Sequence, residues 1–336
     1  MAYEVVLVGL GVLFFLAFGN GANDVGKSVV SLMIDPETAE FRQSYKALMW
    51  GGIFSGIGSI AAILIAGRLF SIFTPQSLLL TVPGSLFVLN VLIGAAAWVL
   101  IGTLLRVPVS TTHAIIGSII IQAAYLFGAA SLEWNFLIWR ILLPLAAGPL
   151  AAVFGAYLLS RLSRRGPEQA QGPEIDHSKL RASAAEWGSA AAVSFGRGIN
   201  DAPKMAALGA FFLLGSAMGS SLLPYLIVSL AFVAGSLLWG DRVARGLIGH
   251  TRHLHPGQRI KAHMATAALV SAGAYFGDPF STTQVAAGAN AGAGKKKRHM
   301  LRSSLHGMAL AWLVTLPAAG LLAVAASILT ARIWIP

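Results

Sequence analysis

The chain has 336 residues, 56% of them hydrophobic and only 11% charged, and its formal net charge is +11. Soluble domains usually carry about 25% charged residues, so this composition excludes an ordinary soluble protein, whose surface would be too apolar for water. The sequence contains no cysteine, which excludes disulfides and thiolate metal sites. We therefore predict an all-α integral membrane protein, because helices satisfy their own backbone hydrogen bonds inside a lipid bilayer.

Ten apolar runs follow one another along the chain. Each is a candidate membrane segment, since a spanning helix needs ~20 apolar residues. They lie at about 5–33, 45–66, 82–105, 108–128, 133–160, 184–216, 221–240, 263–277, 279–294 and 303–331. The first run is long for one helix, and those at 263–277 and 279–294 are short. These irregular lengths predict broken or re-entrant helices and about 10–12 membrane segments in total.

Basic residues cluster in three loops, at 161–181, 241–262 and 295–302. Two apolar runs separate each loop from the next, so all three can face the cytoplasm, as the positive-inside rule requires. Counting outward places both termini outside the cell and predicts a multi-pass protein of the plasma membrane. The basic run at 295–298 lies beside an apolar helix. We interpret it as a topology or lipid-contact feature and expect no nucleic-acid partner.

The chain contains an internal repeat, visible as three pairs of matching motifs in the same order. The patterns F-G-x-G-x-N-D-x-x-K, P-x-S-T-T and A-A-G each occur twice. The pairs are 18–27 with 195–204, 108–113 with 279–284, and 146–148 with 318–320. Three matches at similar spacing indicate two homologous halves.

We expect the first half at 1–160, a cytoplasmic linker at 161–182 and the second half at 183–336. Each half has five apolar runs. Because an odd number of crossings ends on the opposite side of the membrane, the second copy has an inverted topology relative to the first. Inverted repeats of this kind are a common plan for transporters, whose substrate sites lie near the membrane midplane between the repeats. The repeated polar motifs are therefore expected to converge there.

Each copy of the first motif places an acidic and a basic residue in an apolar context, Asp24 with Lys27 and Asp201 with Lys204. An ionised side chain at membrane depth costs at least ~2.5–3.5 kcal/mol, so these residues need partners or a function. Residues three apart lie on one helical face, so each aspartate can pair with its lysine.

Glycines precede these charged residues and would allow the helix to break. A helix beginning near Asn23 or Asn200 would then direct free N–H groups and its positive dipole end at an anion. The alternative is that each aspartate caps a helix while the lysine neutralises it or reaches the membrane surface.

The second motif supplies three hydroxyl groups after a proline that starts a helix. Such a segment offers O–H donors beside free backbone N–H groups, which suits a tetrahedral oxyanion, although hydroxyl oxygens also bind cations. The six residues are Ser110, Thr111, Thr112, Ser281, Thr282 and Thr283. The alternative is that these hydroxyls bond their own helix or only pack tightly.

Two further residues have open roles. His113 follows the first triplet and would act as a proton relay or, as we favour, as a hydrogen-bonded packing residue; Gln284 replaces it in the second copy. Arg197 stands where the first copy has Asn20. It would either attract the anion with its planar guanidinium or pair with Asp201.

The two motifs resemble those of the inorganic phosphate transporter (PiT) family. Residues 21–24 and 108–113 match its G-A-N-D and P-V-S-T-T-H signatures closely, and the second copies match them more loosely. The resemblance implies inverted repeats, extracellular termini and symport of phosphate with Na⁺ or H⁺. It also implies that the two triplets hold phosphate. The coupling cation, including any Na⁺ at the two aspartates, would be bound by Asn23, Asp24, Asn200 and Asp201.

The lysines depart from the family pattern. Lys27 and Lys204 stand where the family often has asparagine, and a lysine ammonium would occupy the place of a bound Na⁺. We therefore expect weaker Na⁺ dependence than in the sodium-driven members, with H⁺ as the other coupling ion. Together with Arg197, the lysines are also expected to attract the anionic substrate.

The sequence thus predicts a secondary transporter that imports inorganic phosphate with Na⁺ or H⁺ by alternating access. A transporter of another oxyanion such as sulfate, or an anion channel, remains the alternative. The sequence has no H-E-x-x-H, G-x-S-x-G or P-loop motif, so we expect neither an enzyme nor an organic cofactor. The expected partners are phosphate and the lipid bilayer, and a homodimer is left open.

Overall fold

The computed structural model describes residues 3–35, 38, 40–162, 182–213, 222–294, 306, 309 and 311–334. Within these ranges the regular structure is helical, apart from two isolated β-bridges. Most of the predicted linker at 161–182 and the basic run at 295–298 lie outside the described residues. The predictions that rest on them stay predictions.

The described part of the first half contains eight α-helices, of which three are short. They are α1 (Tyr3–Val29), α2 (Tyr45–Ile65), α3 (Gly67–Ile72), α4 (Pro75–Leu78), α5 (Ser85–Leu104), α6 (Thr111–Phe127), α7 (Trp134–Phe136) and α8 (Leu143–Leu162). A π-helical segment, Leu137–Leu142, joins α7 to α8.

The described part of the second half contains five helices and one π-helical segment, Ala311–Thr315. The helices are α9 (Ala184–Phe211), α10 (Leu222–Thr251), α11 (Pro256–Phe276), α12 (Thr282–Ala293) and α13 (Leu316–Trp334).

Six helices of the described chain are long and apolar enough to cross a membrane. They cover Glu4–Met33, Tyr45–Ile65, Ser85–Leu104, Trp134–Leu162, Leu222–Gly249 and Trp312–Ile333. These spans make the protein a multi-pass membrane protein. The short helix α12 has 12 residues and reaches only ~18 Å. This length is well below the ~30 Å of a bilayer core, as the short apolar run at 279–294 predicted.

The two halves pack against each other through α1 with α10 and α2 with α9. A Cβ on Gly21 of α1 would lie 2.8 Å from Phe232 Cα of α10, and one on Gly26 would lie 2.8 Å from Ala244 Cα. The later residue of α1 contacts the later residue of α10, so the two helices run in the same direction.

The matching pair runs in the same direction as well. Near the start of α2, Trp50 Nε1 donates to the Trp187 carbonyl of α9 at 3.0 Å, and further along Gly58 lies against Phe195. Between α9 and α1, Ser194 contacts Ser28, and the later Asp201 contacts the earlier Asn20. Therefore α9 is antiparallel to α1, and the second half lies inverted relative to the first.

The remaining interfaces repeat the same symmetry. Helix α6 packs on α13 as α12 packs on α8, and α5 packs on α1 as α11 packs on α9. The triplet-bearing helix of each half, α6 or α12, therefore packs against a helix of the other half. This arrangement brings the two triplets together between the halves.

One expectation about these helices is wrong. Helices α1 and α9 are continuous through Asn23 and Asn200, so neither helix begins at the motif. The motif glycines serve close packing instead, because a Cβ on Gly198 would collide with the Ser55 carbonyl of α2. The helix breaks occur before the triplets, where α6 and α12 begin.

The predicted basic loop at 241–262 is also mostly helical. Helix α10 continues to Thr251 and α11 begins at Pro256. Two basic side chains in this extension of α10 lie along aromatic rings. The Arg242 guanidinium lies 4.8 Å from the Trp239 ring centre, and that of Arg245 lies 4.5 Å from the ring of Phe41.

Candidate functional site

The two Ser-Thr-Thr triplets form the N-termini of α6 and α12 and meet each other. Ser110 caps α6, since its Oγ accepts from the His113 backbone N–H at 3.3 Å. Ser281 holds the matching position on α12, but its hydroxyl donates to Ser110 Oγ at 2.8 Å. Five of the six triplet residues are buried, and Thr283 is half-buried. The triplets thus place two helix N-termini at one solvent-excluded point.

Such an arrangement favours an anion. The first amides of a helix have no intrahelical acceptor, and the helix dipole adds about half a positive charge at that end. One helix N-terminus is already a common anion site. Here α6 and α12 bring two such ends together, with hydroxyl donors on both.

Lys27 of α1 connects the two halves at this point. Its ammonium forms an ion pair with Asp24, donates to the Val109 carbonyl at 3.1 Å and donates to Thr283 Oγ1. The carbonyl belongs to the same half as the lysine, whereas Thr283 belongs to the other half.

Lys204 of α9 has the corresponding set of partners. Its ammonium lies 3.2 Å from Asp201 Oδ1, 2.9 Å from the Phe280 carbonyl and 2.8 Å from Thr112 Oγ1. The predicted pairing of each aspartate with the lysine three residues on is therefore present in both copies. The structure adds a crossed contact, in which each lysine binds the last threonine of the opposite triplet.

The motif asparagines hold the segments before the triplets. Asn23 accepts from the Val109 N–H at 2.9 Å and donates to the Val107 carbonyl at 3.0 Å. Asn200 donates to the Phe280 carbonyl at 2.9 Å and to Asp201 Oδ1 at 2.8 Å. Both amides therefore fix the position of α6 or α12 relative to the helix that carries the charged residues. Their predicted part in binding a coupling cation stays a prediction.

Arg197 is completely buried beside this cluster. One terminal nitrogen donates to Ser55 Oγ at 2.6 Å, and the guanidinium lies 5.5 Å from the Phe232 ring centre. The structure forms no ion pair between Arg197 and Asp201 within the described residues. Among the described residues, the Nε and the other terminal nitrogen of Arg197 have no hydrogen-bond partner. The guanidinium therefore keeps free donors at the site.

The cluster carries a positive excess. With all groups ionised, Lys27, Lys204 and Arg197 contribute three positive charges against two negative ones from Asp24 and Asp201, a balance of +1. A buried charge without a counter-charge is strongly unfavourable. An anion bound among the hydroxyls would compensate it.

His113 and Gln284, which follow the two triplets, have different surroundings. His113 Nδ1 lies 2.8 Å from Ser110 Oγ, and its ring packs edge-on against Trp312 at 5.1 Å. Gln284 is buried, and neither of its side-chain polar atoms has a partner among the described residues. The two positions are therefore not equivalent, and a proton relay at His113 stays a prediction.

Sequence reasoning missed three residues that complete the site. Asn20 donates to Thr111 Oγ1 at 2.8 Å and approaches Asp201 Oδ2 at 3.5 Å. Thr103 accepts from Asn23 at 3.1 Å, and Ser55 holds Arg197. The position of Asn20 in the repeated motif was a usable signal, whereas Thr103 and Ser55 lie in apolar or glycine-rich helices without one.

The family is shown by comparison with known proteins. A family model described as "Phosphate transporter family" matches the chain twice, at residues 17–173 and 166–323. The chain therefore belongs to the phosphate transporter family, and each half carries one copy of the family's repeat. Membership implies phosphate as the substrate and a place in a membrane, and it makes the chain a transporter and not an enzyme.

Individual relatives agree with this assignment. A probable low-affinity inorganic phosphate transporter of Mycobacterium leprae is 30% identical over 94% of this chain and 75% of its own length. A protein of the same description from Rhizobium meliloti is 28% identical over 94% of both chains. The solved structure of a sodium-dependent phosphate transporter has the same fold, with a TM-score of 0.81 and 17% identity over 98% of this chain and all of that one.

Proposed function

We propose that the protein is a secondary active transporter that imports inorganic phosphate together with a coupling cation, Na⁺ or H⁺, by alternating access. The observation that carries the proposal is the meeting of the N-termini of α6 and α12 within a buried cluster of net positive charge. The cluster lies where two inverted halves pack together, which is the usual position of a transporter's substrate site.

Phosphate suits the donors and acceptors of this cluster. Triplet hydroxyls and the free guanidinium N–H groups of Arg197 can donate to the oxygens of a tetrahedral anion. Hydrogen phosphate also carries a proton that it can donate, and Asp24 and Asp201 are acceptors nearby. Sulfate has no such proton at neutral pH, so the carboxylates favour phosphate over sulfate.

The closed state of the site supports alternating access. Lys27, Lys204 and both aspartates are less than 8% exposed, so these four charged groups are closed off from bulk solvent. The contacts that close it join the two halves, namely Lys27 with Thr283, Lys204 with Thr112, and Ser281 with Ser110. A rocking motion of one half against the other would break these contacts and open the site to one side.

The orientation of the chain belongs to the same proposal. The positive-inside rule places the linker at 161–182 in the cytoplasm and both termini outside the plasma membrane. The halves would then be 1–160 and 183–336, related by an axis in the membrane plane.

The test is uptake of radiolabelled phosphate into proteoliposomes that contain the purified protein. Inward gradients of Na⁺ or H⁺ are imposed separately, and unlabelled sulfate is added in excess as a competitor. We expect uptake that one gradient drives and that sulfate leaves unchanged. Block by sulfate would favour another oxyanion as the substrate, and flux without any co-ion gradient would favour an anion channel.

A further inference from the structure

Two oxygen cages of the same composition surround the two lysine ammonium groups. Each cage has a carboxylate oxygen from the aspartate three residues earlier and a backbone carbonyl from the residue before the triplet of the same half. The third oxygen is the hydroxyl of the last threonine in the opposite triplet. The first cage is Asp24, Val109 and Thr283, and the second is Asp201, Phe280 and Thr112.

These oxygens are the ligands that hard metal cations prefer. Carboxylate, carbonyl and hydroxyl oxygens replace the hydration shell of such ions in protein sites. Here the ammonium group of a lysine side chain already binds these oxygens. An ammonium group has three N–H donors, and each ammonium has one partner of each kind, so its donors are fully used.

The cages leave no place for a free metal cation. Lys27 and Lys204 are 7% and 1% exposed, so their ammonium groups cannot move into water and release the oxygens in this state. A sodium ion at the same oxygens would lie beside a buried ammonium of like charge, where repulsion is weakly screened. The residues present therefore do not fit a bound Na⁺.

We infer that Lys27 and Lys204 are built-in counter-cations that replace two metal cations, so that phosphate transport by this chain requires no Na⁺. The inference rests on the proposed function and deepens it, because it leaves H⁺ as the coupling ion. It also explains the crossed contacts, since each ammonium ties the opposite triplet to its own half.

The first experiment compares phosphate uptake by the unchanged protein with Na⁺ and with choline on both sides of the membrane, under the same proton gradient. We expect equal rates and no phosphate-dependent entry of radiolabelled Na⁺. A strict requirement for Na⁺ would overturn the inference while leaving the proposed function intact. The absence of phosphate uptake under every gradient would instead overturn the proposed function.

A double variant, Lys27→Asn with Lys204→Asn, tests the cages directly. Asparagine removes the ammonium, frees the three oxygens and adds an amide oxygen. We expect uptake to become sodium-dependent, rising up to about a hundredfold for a tenfold increase in Na⁺ well below saturation, because both cages would have to bind an ion. A folded double variant that transports phosphate but ignores Na⁺ would overturn the inference.

Methionine at both positions provides the matched control, because it fills the cage without a charge or an oxygen ligand. We expect this variant to be inactive with and without Na⁺. A second readout is the thermal stability of purified protein in Na⁺ against choline. Only the asparagine variant should be stabilised by Na⁺, and stabilisation of the unchanged protein by Na⁺ alone would contradict the inference even if the variants fail to fold.

Discussion

Ser281 donates a hydrogen bond to Ser110, and their Oγ atoms lie 2.8 Å apart although the residues belong to different halves. The two serines hold equivalent positions in the repeat, so their contact marks the axis that relates the halves. Only Ser110 also caps its own helix, whereas Ser281 makes no side-chain cap. The pair is therefore symmetric in position and asymmetric in hydrogen bonding.

This asymmetry predicts different effects for the two alanine substitutions. Ser110→Ala removes an N-cap and the cross contact, and loss of a cap costs about 1 kcal/mol. Ser281→Ala removes the cross contact alone. We expect both to weaken phosphate uptake, and Ser110→Ala to lower the thermal stability of purified protein further. Equal stability of the two variants would contradict the assigned cap, and Ser71→Ala, at an exposed position on α3, is the control.

The crossed lysine contacts predict matched effects for the two threonines. Thr112→Val and Thr283→Val each remove a hydroxyl that an ammonium of the opposite half binds. A hydrogen bond to a charged group contributes about 1.5–3 kcal/mol, so kcat/KM for phosphate is expected to fall about 10- to 150-fold in either variant. The measurement is initial uptake rate against phosphate concentration.

Thr266→Val is the control for this pair. Thr266 is buried and donates to the Ala262 carbonyl of its own helix at 2.8 Å, so the same change is made away from the site. A loss in this variant as large as in the other two would show that buried threonines matter for folding and not for phosphate.

Arg197 supplies the positive excess of the cluster. Arg197→Gln lowers the balance from +1 to zero and removes the free donors. We expect the KM for phosphate to rise at least about tenfold, with less effect from Arg197→Lys because the charge remains. Uptake kinetics check this, and Arg68→Gln, at an exposed position on α3, controls for loss of an arginine. An unchanged KM in Arg197→Gln would remove this residue from the site.

The motif glycines are predicted to act in packing and not as flexible breaks. Gly21→Ala would force a Cβ to 2.8 Å from Phe232 Cα, and overpacking of this kind costs about 1–3 kcal/mol. We expect a lower yield of folded protein and a lower melting temperature. Gly11→Ala, on the same helix but with open space around it, should leave both unchanged. Equal tolerance of the two changes would contradict the packing role.

Much of this architecture could be predicted from local sequence. The spacing of Asp24 and Lys27 fixes them on one helical face, and the proline before Ser110 correctly marks a helix start. The duplication of both motifs correctly indicated two halves. These features depend on neighbours a few residues apart, which is the range over which a single sequence is informative.

What the sequence could not provide are the contacts between distant segments. Lys27 and Thr283 are 256 residues apart, and no local pattern pairs them. The glycines of the first motif were misread as helix breaks because a glycine permits both a flexible backbone and a close approach, and only the neighbouring helix decides. Ser55 was missed for the same reason, because its role comes from the hydrogen bond that it accepts from the distant Arg197.

The most direct test of the whole account is uptake of radiolabelled phosphate into sodium-free proteoliposomes under an inward proton gradient. We expect concentrative uptake that collapses when a protonophore removes the gradient and that added Na⁺ does not increase. Uptake that appears only when Na⁺ is supplied would contradict the role given to the two lysines, and no uptake under any gradient would contradict the proposed phosphate import itself.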